Sequence, residues 1–264
     1  MDKRADFGGY RAKFGDIRNN LKFYAIKAPP LHPDSHSKPS GYRGVTDTSS
    51  DWPPLSTRLP MASAPMRCEL ITWNHVYTLS RMLALKIRDA GFMPDIIVAI
   101  GRGGYVPARI LADYLDMMAL TSMKIEHYTR GAEKEPEARV KYPLSEDVTG
   151  MRVLVVDDVS DSGDTFQVAL AHIRERFQPA AIKTAALHHK VVSTHRPDFF
   201  AQLIVKWRWI IYPWAVVEDL SGFIARMQDR PTSLVDLAAR LKADHDIRPD
   251  RRTLEAVLKG LGKK

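Results

Sequence analysis

Two short runs of β-branched residues, "PDIIVAI" (94–100) and "MRVLVVDD" (151–158), each end in a loop of glycines or acids and hand over to a helical pattern. After the first comes "GRGG" and then "YVPARILADYLD", a helix starting near Tyr105; after the second comes "SGDTFQVALAHIRERF". Strands that alternate with helices predict an α/β fold with a parallel sheet and right-handed crossovers. Ligands in such sheets bind beyond the carboxyl ends of the strands, so the two loops are predicted to share one edge.

The surrounding pattern extends this frame. In "NHVYTLSRMLALKIRDAG", Val76, Leu79, Leu83 and Ile87 recur on one helical face and Gly91 closes the element. "TSMKIEHY" (121–128) and "AIKTAALHH" (181–189) are further strands. The polar stretch between Tyr128 and Gly150 has no period and is expected to be a mobile loop, or a hairpin or lid over a site. Residues 1–65 are rich in proline, with seven of the chain's 17 prolines before position 61, and are expected to be a disordered extension. The ordered domain is placed at 66–228. A tail of two short helices around "DIRPDR" occupies 229–264, with Thr232 or Ser233 as a cap.

Composition sets further bounds. A single cysteine, Cys68, allows no intrachain disulfide, and no apolar run approaches the roughly 20 residues of a membrane span. A reducing cytoplasm is the expected compartment. The net charge of +8 suits nucleic acid or phosphate-rich small molecules, but the excess of 39 basic over 31 acidic residues is modest. A helix pair can bind DNA, yet packing helices are the commoner use, so nucleic acid is not an expected partner. Of His188, His189 and His195, the adjacent pair on a strand faces opposite sides of the sheet, and no metal is assigned to them.

The chemistry concentrates in "VLVVDDVSDSGDT" (153–165). The backbone amides of 162–165, with the Ser162 and Thr165 hydroxyls and Gly163 in the turn, can cradle a phosphate monoester at a helix N-terminus. Asp157 and Asp158 can accept hydrogen bonds from vicinal hydroxyls or hold a hydrated Mg²⁺. A phosphate at one end and a diol at the other describe a ribose phosphate. Acidic pairs also occur in receiver domains, but those need no such cradle, and no "GxxxxGK[ST]" stands here for a nucleoside triphosphatase.

This segment resembles the phosphoribosyl pyrophosphate (PRPP) motif of the type I phosphoribosyltransferases. "AIGRGGYVPARILA" resembles their pyrophosphate loop, in which Arg102 and the backbone of Gly101 and Gly103, often across a cis peptide, hold the leaving group. The strand "TAALHHK" ending at Lys190 and the segment "WIIYPW" (209–214) are similar to bacterial xanthine-guanine enzymes, with likeness also to archaeal purine members.

The resemblance implies the type I fold: a mostly parallel sheet, flanking helices, a small hood and, here, C-terminal helices. It implies transfer of 5-phosphoribosyl from PRPP to a 6-oxopurine, with Mg²⁺ as cofactor, in a protein that forms homo-oligomers. Asp161 would be the acid/base residue, and Asp157, Asp158 and 162–165 would bind PRPP. Asp164 holds the motif's variable position. Lys190 would donate to the purine O6, Trp209 would stack on the ring, and backbone near Ile210 would read its edge. Where xanthine-guanine enzymes have an Asp after Pro-Trp, this chain has Ala215, with Glu218 and Asp219 further on. The competing reading is a regulator of transcription or RNA that binds PRPP through the same fold, and such regulators tend to lack base contacts like Lys190 and Trp209.

Overall fold

The computed structural model describes residues 66–128 and 137–261. The segment 1–65, expected to be a disordered extension, and residues 129–136 of the polar stretch lie outside the described residues. The described chain opens with a short strand, β1 (Cys68–Leu70), and a long helix, α1 (Trp73–Asp89). Thr72 caps α1 by accepting from the His75 amide at 3.2 Å, and Val76, Leu79, Leu83 and Ile87 are buried along it, as their spacing predicts.

Next come β2 (Ile96–Gly101), α2 (Tyr105–Tyr114), β3 (Leu120–Tyr128), β4 (Glu137–Tyr142) and β5 (Arg152–Ser160). After these follow α3 (Asp164–Arg176), β6 (Ala181–Lys190) and β7 (Phe199–Ile204). The main sheet has the order β4-β3-β2-β5-β6-β7, and every neighbouring pair is parallel except β3 with β4. The stretch read as a loop, hairpin or lid thus contributes β4, which returns antiparallel along β3 as a hairpin arm.

Alternate residues of the central strands bury on opposite faces. Leu154, Val156, Ala185 and Leu187 pack with α1 and α2, while Val98, Ile100, Val153, Val155 and Ala186 pack with Phe166, Ala169 and Ile173 of α3. Because β2 and β5 are adjacent and parallel, with Ala99 opposite Val156, the loops after them emerge side by side at one sheet edge.

A second, two-stranded sheet pairs β1 with β8 (Trp209–Ile211) in parallel, followed by α4 (Val216–Ala225). The C-terminal helices α5 (Leu234–His245) and α6 (Arg251–Leu261) complete this part of the molecule, and Ser233 is the residue that caps α5. Leu237, Leu241, Leu254 and Val257 share one buried cluster with Cys68 of β1, Ile211 of β8, and Leu220, Phe223 and Ile224 of α4. The tail therefore packs into the same core as the small sheet.

Helix α5 offers an internal comparison, since Leu241 is fully buried and Val235 is 79% exposed. Leu241→Ala should cost about 2–5 kcal/mol in chemical denaturation, and Val235→Ala less than about 0.5 kcal/mol.

Candidate active site

The loops after β2 and β5, part of β3, the end of β6 and the segment around β8 line a cleft of about 1060 Å³. Its walls include Gly101, Arg102, Gly103, Asp157, Asp158, Asp161, Ser162, Gly163, Thr165, Lys190, Trp209 and Ile210. All are residues singled out in the sequence; Asp164 is not among the lining residues, and its carboxylate accepts from the Ser162 hydroxyl at 2.9 Å.

The turn into α3 depends on Gly163, which sits at φ 100°, a left-handed conformation that suits glycine. A Cβ there would also meet the His195 amide nitrogen at 2.5 Å and the Thr194 hydroxyl at 2.8 Å. The loop after β6 thus braces the cradle from outside: Thr194 donates to the Ser162 carbonyl through both its amide and its hydroxyl, each at 2.8 Å. The Ser160 hydroxyl donates to the His195 carbonyl at 2.8 Å. No motif in the sequence marked these supports.

On the opposite wall, the Gly101–Arg102 peptide is cis. A side chain at Gly103 would collide with the Asp158 carboxylate, so this glycine lets the two loops approach. The Arg102 guanidinium reaches across to α4 and donates to both Glu218 carboxylate oxygens at 2.8 Å.

Asp157 and Asp158 lie near the end of β5, where the apolar strand has carried them into a poorly hydrated position. Burial, reinforced by the Asp158 charge, holds the Asp157 carboxyl well above the usual carboxylate range. Burial likewise lifts Asp158 to about 6, against the opposing influence of the Trp214 side chain and backbone amides. Beside them Tyr212 donates its hydroxyl to the Asp158 carbonyl at 2.8 Å and lies 2.7 Å from His188 Nδ1. Since the Tyr212 proton is committed to that carbonyl, His188 must donate through Nδ1, which fixes its tautomer. Burial and the neighbouring His75 push His188 down to about 4. His189, one residue on, lies against Phe200, so the two histidines do face opposite sides of the sheet.

The other end of the cleft is set by strand register. Ser160 on β5 stands opposite His189 on β6, so the residues that follow, Asp161 and Lys190, emerge as neighbours. Lys190 is 1% exposed, and its ammonium donates to Asp161 Oδ2 at 2.6 Å. Asp161 Oδ1 accepts from the Trp207 indole at 3.1 Å, and the Lys190 ammonium lies 4.5 Å from the Trp207 ring centroid and 5.9 Å from that of Trp209. The sequence singled out Trp209, which lines the cleft; Trp207, two residues earlier, is not among the lining residues but lies nearer the lysine.

Residues 69–219 match the phosphoribosyl transferase domain family. This chain belongs to that family. The phosphoribosyltransferase is 30% identical over 154 residues to the xanthine-guanine phosphoribosyltransferase of Ruegeria sp. (strain TM1040), a match that covers 54% of this chain and 83% of the relative. It is 27% identical over 190 residues to the hypoxanthine-guanine phosphoribosyltransferase of Saccharomyces cerevisiae, covering 55% and 85% of the two chains. Among solved structures, a purine phosphoribosyltransferase from Pyrococcus horikoshii aligns with a TM-score of 0.50 and 31% identity, over 56% of this chain and 94% of that one. The matched family region ends within α4, so α5 and α6 lie beyond it.

The raised Asp158 carboxyl has a consequence for stability. A carboxyl whose folded pKa exceeds its unfolded value costs the fold progressively more as pH rises from near 3.8 to about 6, after which the penalty is constant. In metal-free buffer, Asp158→Asn should therefore stabilise the protein by the order of 1–3 kcal/mol at pH 8 and hardly at all at pH 3.5, read by denaturant titration at each pH.

Proposed function

We propose that this phosphoribosyltransferase moves the 5-phosphoribosyl group of PRPP onto a 6-oxopurine and releases pyrophosphate, a salvage reaction. The observation that carries the reading is the buried Lys190 ammonium held against Asp161 beside two indole rings, in the same cleft that is lined by Asp157, Asp158 and the turn residues Ser162, Gly163 and Thr165. The names of the matched relatives, xanthine-guanine and hypoxanthine-guanine enzymes, support the same substrate class.

In this reading the amides of 162–165 take the 5′-phosphate, and Asp157 and Asp158 take the ribose hydroxyls. Arg102, with the amides of its loop, exchanges Glu218 for the pyrophosphate oxygens. The base enters over Trp209, with the backbone near Ile210 along its edge and its 6-carbonyl toward Lys190. The C1′–O bond to pyrophosphate breaks as the C1′–N bond forms, and C1′ gains cationic character between. The base loses a ring proton, for which Asp161 is the acceptor within reach of Lys190.

Mg²⁺ fits this site as a partly hydrated ion. It needs one or two carboxylates plus substrate oxygens, and the desolvated Asp157 and Asp158, whose burial disfavours their bare negative charge, supply that donor set. Bound there, the ion would offset the growing charge on pyrophosphate.

Pyrophosphate release measured with PRPP, Mg²⁺ and each of hypoxanthine, guanine, xanthine and adenine tests the proposal. Turnover is expected with at least one 6-oxopurine, and kcat/KM for adenine should be lower by roughly 100-fold, because the lysine would face a donor at C6. No turnover with any base, alongside retained PRPP binding, would favour the regulator. Asp161→Asn should lower kcat by about 100-fold or more while PRPP KM changes little, and matching losses in both would remove Asp161 from the proton-transfer role.

A further inference from the structure

Asp161 has two carboxylate oxygens, and each already has a partner. Lys190 takes Oδ2 at 2.6 Å and the Trp207 indole N–H takes Oδ1 at 3.1 Å. Under the proposed reaction Lys190 must turn toward the base carbonyl, which releases Oδ2 for the ring proton. The bond to Oδ1 does not have to break.

Trp207 is placed for this by contacts separate from the PRPP motif. Ile204, the last residue of β7, is paired with Lys190, so the segment leaving β7 passes beside the lysine. Arg208 is then drawn to the other side by an ion pair with Glu69 of β1 at 3.2 Å. Residues 207 and 209 consequently project together toward Lys190, and the ammonium rests 4.5 Å from the Trp207 centroid and 5.9 Å from that of Trp209. Trp207 is 41% exposed, so filling a core does not account for its position.

We infer that Trp207 is the positioning residue of the base site: its indole N–H fixes one oxygen of Asp161 so that the other meets the base, and its ring steadies the lysine. This rests on the proposed purine reaction for its catalytic consequence, while the contact itself can be read without turnover. It also separates the two tryptophans, with Trp209 serving the base ring and Trp207 the carboxylate.

Trp207→Phe keeps an aromatic ring and removes the N–H, whereas Trp207→Ala removes both. A lost hydrogen bond to a charged group predicts that Trp207→Phe lowers kcat by roughly tenfold or more, with base and PRPP KM each within about threefold of the parent enzyme. Trp207→Ala should in addition raise the base KM, since the ammonium loses its seat. A smaller loss of kcat in Trp207→Phe, or a matching rise in PRPP KM, overturns the inference. The second measurement is the ¹⁵N–¹H indole resonance of Trp207, identified by its disappearance in Trp207→Phe. It should move in Asp161→Ala, and an unmoved resonance also overturns the inference. If the parent protein turns over no base, the purine reading fails by itself and the indole resonance still decides whether Trp207 holds Asp161.

Discussion

The parallel alignment of β2, β5 and β6 is the constraint on which the site depends. With Ala99 beside Val156 and Ser160 beside His189, three strands deliver their carboxyl ends to one edge. The cis-linked loop at Arg102, the acid pair and cradle at the end of β5, and Lys190 at the end of β6 then converge without a long connection between them. A slip of one residue between β5 and β6 would turn Asp161 away from Lys190 and leave a buried ammonium without its carboxylate, a cost that itself enforces the register.

Charge management follows from the same arrangement. Asp157 and Asp158 follow an apolar run, and burial raises both carboxyls, so a cation bound beside them would favour the ionised form that accepts hydrogen bonds and ligates metal. Lys190 is compensated by Asp161 and by indole faces, and Arg102 by Glu218. Substrate groups of matching charge can exchange for these internal partners, so the ligand-free site keeps its cations near the places where phosphate and carbonyl oxygens are expected. The exposed Arg102–Glu218 pair is the weaker of the two, as surface ion pairs contribute about 0–1 kcal/mol, and it yields readily to a polyanion.

The small sheet, backed by the C-terminal helices, forms one wall of the cleft. Because β8 lines the cleft with Trp209 and Ile210 and buries Ile211 in the cluster with Leu237, Leu241 and Leu254, the helices beyond the matched family region support the strand that faces the cleft. Sequence reasoning assigns this tail no role in the site. Its individual helices are visible in their caps and spacing, but the surface they bury against is not.

Local chemistry explains what was legible. The buried face of α1, the strands leading into the Arg102 loop and the cradle, and the glycine of the cradle follow from short-range rules of periodicity and turn geometry, while Lys190 stood out through the family resemblance. The three-residue strands β1 and β8 and helix α4 carry too little periodic signal to stand out. Trp207, Tyr212 and Thr194 escape a reading of local motifs because their partners lie 46, 54 and 32 residues away in the chain. The sequence by itself determined the alternating elements and the PRPP-like motif, since each is encoded within about a dozen residues. Only the tertiary structure decided that Asp161 would be held between Lys190 and Trp207 and Arg102 by Glu218, because those contacts are fixed by strand register and by the packing of the small sheet, which no local segment specifies.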